Sequence, residues 1–129
     1  MEASRKMFIG KKVTLMGLGL LGRGVGDAEF LAQSGADVTV TDTKTEAELV
    51  ENIARLSRYP NIRFHVGGHR EEDFIGADMV IKAAGVPLDS PEIAAARAAG
   101  VPVAMSTALF AKSGSLSETF ADLNQRWFS

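Results

Sequence analysis

The chain has 129 residues, 13 of them glycine and none cysteine, with 14 Lys and Arg against 16 Asp and Glu for a net charge of −2. That length fits one compact domain, and the lack of cysteine excludes disulfides, zinc fingers and thiol catalysis. The balanced charge argues against a nucleic-acid binder, which would carry a basic patch.

The first residues, Met1 to Lys6, are charged and unlike a signal peptide. No apolar run approaches the ~20 residues of a membrane span, so a cytoplasmic protein with no membrane partner is expected. Val13-Thr14-Leu15-Met16 is an apolar, β-prone run with the composition of a buried parallel strand. Five of the 13 glycines then fall between Gly17 and Gly26. Leu21, Val25, Ala28 and Ala32 recur at helical spacing, and Ser34-Gly35 stops that helix. Gly24 and Gly26 lie inside it, where each costs up to about 1 kcal/mol relative to Ala. Both are expected to let the helix pack closely on the sheet, without touching a ligand.

Asp37 to Asp42 reads as the second strand. Thr45 and Glu48 have capping-box spacing ahead of the helical face Leu49, Ile53 and Leu56, and Tyr59-Pro60-Asn61 breaks that helix. Ile62 to Val66 is a third, more polar strand. Gly67-Gly68 and the stretch from Arg70 to Gly76 read as a loop with at most a short helix. Asp78 to Lys82 is the fourth strand, ending at Ala83-Ala84-Gly85. Ser90 as N-cap and Pro91 at the first helical position open another helix, closed by Gly100. Val101 to Met105 is a short fifth strand, whose proline fits an edge position or a strand start.

Strands alternating with helices predict an α/β, Rossmann-like doubly wound fold over residues 1–112, with a mostly parallel five-stranded sheet and helices on both faces. Residues 113–129 differ. Leu116, Phe120, Leu123 and Trp127 line one helical face behind a Ser115–Glu118 capping box, which predicts an amphipathic helix. Its apolar side packs either on the domain or on a partner, a second copy of the chain included.

The strongest chemical signal is Gly17-Leu18-Gly19-Leu20-Leu21-Gly22, a G-x-G-x-x-G between a strand and a helix with Asp42 about 20 residues on. Gly17 permits the tight turn, Gly19 lets a ligand approach the backbone, and Gly22 seats the helix close to the strand. The helix N-terminus then favours an anionic group. The alternative is a tight strand–helix turn with no ligand. Asp42 ends the second strand, where it can accept from a ribose hydroxyl or a base N–H and would repel a 2′-phosphate; otherwise it is a turn acid before Thr43. Lys44 either reaches the ligand or is an exposed turn lysine. Gly85, with Ala83 and Ala84, ends the fourth strand at the ligand-facing edge, and Lys82 reads as a strand-end lysine.

Other constellations carry less. His65 and His69 are four apart across a strand and a Gly-Gly loop, which does not form a metal pair. Glu71-Glu72-Asp73 reads as a solvated acidic run. No serine sits in a G-x-S-x-G elbow. Gly10-Lys11 looks like the end of a P-loop, but Arg5 and Lys12 break the pattern. No catalytic and no metal-binding residue is assigned.

From Val13 to about Lys112 the chain resembles the N-terminal domain of the Mur ligases, most closely of the MurD type. The resemblance rests on Gly17 to Gly22, on Asp42-Thr43-Lys44, on Ala77 to Pro87 and on Ala99-Gly100-Val101-Pro102-Val103. It implies that the domain holds the UDP part of a UDP-muramoyl substrate such as UDP-N-acetylmuramoyl-L-alanine. Gly19, Leu20, Leu21 and Gly22 would lie at the diphosphate, Asp42 and Thr43 at the uracil with Lys44 nearby, and Ala84-Gly85 along the nucleotide. Leu21 stands where the family commonly has Ser or Thr, and Ala83-Ala84-Gly85 replaces its Ser-Pro-Gly, so two hydroxyl contacts are lost. After Leu109-Phe110 the family pattern runs into the P-loop of an ATP-binding domain, whereas this chain continues with Ser113-Gly114-Ser115. ATP and magnesium are therefore expected only with a full-length parent, and this chain is expected to bind without catalysing. The readings from other classes are an NAD- or nucleotide-sensing regulatory domain and a fragment of an NAD-dependent dehydrogenase.

Overall fold

A computed structural model of the protein describes residues 8–18, 23–83 and 89–105. Its five strands are β1 (Lys12–Met16), β2 (Asp37–Asp42), β3 (Ile62–Val66), β4 (Met79–Lys82) and β5 (Val103–Met105). The helices are α1 (Arg23–Gln33), α2 (Val50–Leu56), α3 (Glu71–Ile75) and α4 (Pro91–Ala98). The strands form one parallel sheet in the order β3-β2-β1-β4-β5. The chain moves outward from β1 to β3, then returns to the other side of β1 to continue through β4 and β5. That reversal makes the boundary between β1 and β4 the topological switch point.

Alternation along the strands supplies both faces of the sheet with apolar side chains. On one face Val13, Leu15, Val38, Val40 and Ile62 pack with Val25, Ala28 and Leu31 of α1 and with Leu49 and Leu56 around α2. On the other, Met16, Val80 and Val103 meet Phe74 of α3 and Ile93 and Ala96 of α4. The α/β doubly wound arrangement read from the sequence is the observed one.

Local chemistry sets the joints. Thr45 and Glu48 bond reciprocally as a capping box, at 3.0 Å for the Thr45 N–H and 3.3 Å for the Glu48 N–H. They close a turn that leads into α2, whose regular span begins at Val50. The Thr45 N–H and then its hydroxyl, both donating to the Glu48 carboxylate, hold that carboxyl below the ordinary glutamate range. Glu29 on α1 accepts from Arg55 at 3.0 Å and Arg58 at 3.1 Å, tying the two helices together. The Asn61 amide donates to the carbonyls of Ala32 at 2.9 Å and Ala36 at 2.7 Å, fixing the end of α1 and the chain entering β2.

Two expectations are corrected. Gly26 does not pack on the sheet: it is exposed, and a Cβ there would meet nothing within 4 Å. The acidic run is not a solvated loop throughout, because it forms α3, whose Phe74 is fully buried. Asp73 within it pairs with His65 at 2.7 Å, and its carbonyl accepts the Thr14 hydroxyl.

Helices α3 and α4 leave the second face of β2 and β3 polar. Thr39, Arg63 and His65 lie there, and Arg63 pairs with Asp37 at 3.2 Å. A polar hollow of about 210 Å³ opens beside them, lined in part by Lys12, Thr14, Asp37, Arg63 and Asp73. It sits toward the amino ends of the strands, away from the Gly17 turn. None of the helices among the described residues is long and apolar enough to cross a membrane. The expected 115–127 helix, its Ser115–Glu118 cap and the boundary at 112/113 lie outside the described residues.

Candidate functional site

The carboxyl edge of the sheet is organised by what happens at Gly17. The Ala83 N–H donates to the Met16 carbonyl at 2.9 Å, continuing the β4–β1 ladder by one bond. In a regular parallel ladder the next bond would run from the Leu18 N–H to the Ala83 carbonyl. That bond is replaced. Gly17 has φ +95°, a conformation side-chain-bearing residues rarely adopt. Its own N–H goes to the Thr41 carbonyl of β2 at 2.8 Å. The Leu18 N–H is turned to the Asp42 carboxylate at 2.9 Å. The end of β1 is thus held by groups of β2 rather than of β4, at the switch point.

One further hydrogen bond holds the turn. The Gly24 N–H donates to the Leu18 carbonyl at 3.0 Å, and a Cβ on Gly24 would stand 2.5 Å from the Leu18 Cα and carbonyl oxygen. The close packing expected of Gly24 is therefore real, but it is against the turn rather than the sheet. Leu18 itself is buried, 1% exposed.

Asp42 is buried and takes a second backbone donor, the Lys44 N–H, at 2.9 Å. Among the described residues each carboxylate oxygen thus accepts one main-chain N–H, and an oxygen of this kind can accept a second donor. Sequence reasoning saw this acid only as a ligand contact or a turn acid; the fold uses it to join the ends of β1 and β2. Beyond it Thr43 is exposed and Lys44 half-buried. Gly17, Asp42, Thr43 and Lys44 lie at the same edge of the sheet, whereas Gly19, Leu20, Leu21, Gly22, Ala84 and Gly85 lie outside the described residues.

The loop after β3 also reaches this edge, which the sequence did not reveal. The Gly68 N–H donates to the Asp42 carbonyl at 3.0 Å and the Gly67 N–H to the Lys44 carbonyl at 2.8 Å. His69 then bonds the buried Thr41 hydroxyl through Nδ1 at 2.9 Å and packs edge-on against Phe74. His65 and His69 therefore serve different partners, Asp73 and Thr41, and among the described residues no cluster of three metal-ligating side chains occurs. The Gly-Gly pair was the available signal: both glycines have positive φ, which aims two consecutive N–H groups back at β2. Lys82, read as a strand-end lysine, does end β4, but its burial was not foreseen. It is 2% exposed and donates to the Ala83 carbonyl at 3.1 Å, the acceptor that Leu18 leaves unused.

Residues 11–105 match the family described as Mur ligase MurD-like, N-terminal domain. The chain belongs to the Mur ligases. It is 44% identical over 101 residues to the UDP-N-acetylmuramoylalanine--D-glutamate ligase of Roseiflexus sp., a match covering 78% of this chain and 22% of that protein. The enzyme of the same name from Treponema pallidum is 49% identical over 82 residues, 64% of this chain and 15% of that protein. That from Anaeromyxobacter dehalogenans is 47% identical over 94 residues, 73% and 20% respectively. The chain thus spans about a fifth of the length of these curated relatives. The Mur family match covers all five strands.

Proposed function

We propose that this domain holds the UDP part of a UDP-N-acetylmuramoyl substrate, UDP-N-acetylmuramoyl-L-alanine in particular, for a MurD-type ligase of peptidoglycan precursors. The observation that carries the reading is the switch point between β1 and β4, where Gly17 ends β1 and the buried Asp42, followed by Thr43 and Lys44, holds the turn from β2. In open α/β sheets ligands bind outside the carboxyl ends of the strands at such a point. The relatives' printed name, which contains a UDP-sugar and an amino acid, supports the choice of ligand.

In this reading the uracil lies at Asp42 and Thr43. An Asp42 oxygen accepts a base N–H as a second donor, and the Thr43 hydroxyl donates or accepts beside it. Both Asp42 oxygens are already oriented by main-chain donors, so little ordering cost falls on the acid when the base arrives. The diphosphate lies along Gly19, Leu20, Leu21 and Gly22, ahead of α1, where backbone N–H groups replace the hydroxyl lost with Leu21. The rest of the nucleotide runs past Ala84-Gly85. The part proposed for this domain is binding and orientation of the UDP moiety.

Calorimetric titration of the chain and of Asp42→Asn with UDP, UDP-N-acetylmuramoyl-L-alanine and NAD tests this. UDP and the UDP-sugar are expected to bind more tightly than NAD, and less tightly to the variant. Tighter binding of NAD than of UDP overturns the reading in favour of a dinucleotide domain.

A further inference from the structure

Lys82 ends β4 with its side chain buried at 2% exposure. Its backbone is beside Met16 in the β1–β4 register, immediately before β1 departs from β4. Alternation along β4 puts it on the face of Val80 and Met16, which belong to an apolar cluster. Among the described residues its ammonium donates to the Ala83 carbonyl, and none of the ion pairs there includes it. An ammonium has three donors, and withdrawing it from water without a counter-charge is costly; a methionine in its place would avoid that cost. The carbonyl it uses is the one that Leu18 leaves free of the ladder, so the cation stands at the carboxyl end of β4, beside the switch point. The nearby acid is not its counter-ion: Asp42 is engaged by the N–H groups of Leu18 and Lys44 on the β2 side.

We propose that Lys82 is an anion-binding residue whose ligand is the diphosphate of the nucleotide entering between β1 and β4. The proposal rests on the reading of the domain as a UDP-binding module and adds the charged group that neutralises the ligand. Lys82 supplies a point charge at the switch point, in a setting where burial strengthens the contact.

The whole chain and Lys82→Met are titrated calorimetrically with UDP, uridine and inorganic pyrophosphate. The variant is expected to bind UDP and pyrophosphate about 10- to 100-fold more weakly, as for loss of one charged hydrogen bond. Uridine affinity and the thermal midpoint should not fall. Equal UDP affinity in the wild type and the folded variant overturns the assignment and leaves the UDP reading intact. Pyrophosphate binding that needs Lys82, with no UDP binding, supports the anion site and overturns the UDP reading. Binding of neither ligand by the wild type overturns both. If Lys82→Met does not fold, the wild-type ζ-ammonium resonance decides: movement with UDP and pyrophosphate but not uridine supports the site, and no movement overturns it.

Discussion

The Asp42 carboxylate accepts the Leu18 N–H at 2.9 Å across 24 residues of sequence, and this bond holds the end of β1 to β2. The same carboxylate accepts the Lys44 N–H, so one side chain shapes both loops at the carboxyl edge of the sheet.

Asp42→Asn keeps one acceptor oxygen and places an amide NH₂ against the other main-chain donor. A loss of about 1.5–3 kcal/mol is expected for the lost charged hydrogen bond. Urea unfolding with an unchanged m-value checks it. A variant as stable as the wild type would show that the turn is held without the acid.

The glycines of α1 should behave oppositely. Gly24→Ala forces the helix off the Leu18 backbone and should cost about 1–3 kcal/mol as an overpacked contact. Gly26→Ala enters open space on an exposed helical position and should gain about 0.5–1 kcal/mol. Thermal melts of the two single variants compare them directly, and equal shifts of the same sign would contradict the packing described.

Asn61 offers a test of the joint between α1 and β2. Asn61→Ala removes two donors from the carbonyls of Ala32 and Ala36 and should cost about 1–3 kcal/mol. Asn61→Asp should be worse at neutral pH, since a carboxylate would face two carbonyl oxygens, and should recover in acid as it gains a proton. Denaturation at two pH values distinguishes this from simple loss of side-chain volume.

Glu48 titrates below the ordinary glutamate range because the Thr45 N–H, and then its hydroxyl, donate to its ionised form. Its folded-state value is depressed, so its contribution is fully present above the unfolded value and is lost as pH falls through the folded one. In an NMR titration the Glu48 carboxyl and the Thr45 amide should move together, with a midpoint below that of an unstructured glutamate. Separate midpoints would dissolve the capping box.

Much of this was legible from local pattern. Val13 to Met16 reads as a buried strand because its apolar run matches the demands of a sheet covered on both faces, and both covering layers are present. The spacing of Thr45 and Glu48 announced a reciprocal cap, and Ser90-Pro91 marked the start of α4, where Ser90 is the N-cap without a side-chain cap bond. Gly26 was misjudged because helical spacing shows that a residue is in the helix but not what faces it. Asp73 was misjudged because its partners, His65 and Thr14, come from two strands distant in sequence from its helix.

By itself the sequence determined the order of strands and helices, the parallel sheet and the position of the glycine turn. Each follows from short-range steric and hydrophobic periodicity that neighbouring residues alone impose. Only the tertiary structure decided which donors Asp42 would take, that the loop at Gly67-Gly68-His69 would reach the same edge, and that Lys82 would be buried. These depend on where β1 leaves its ladder, and thus on hydrogen bonds between groups brought together by the sheet. The nature of each side chain was visible in advance; its partner was not.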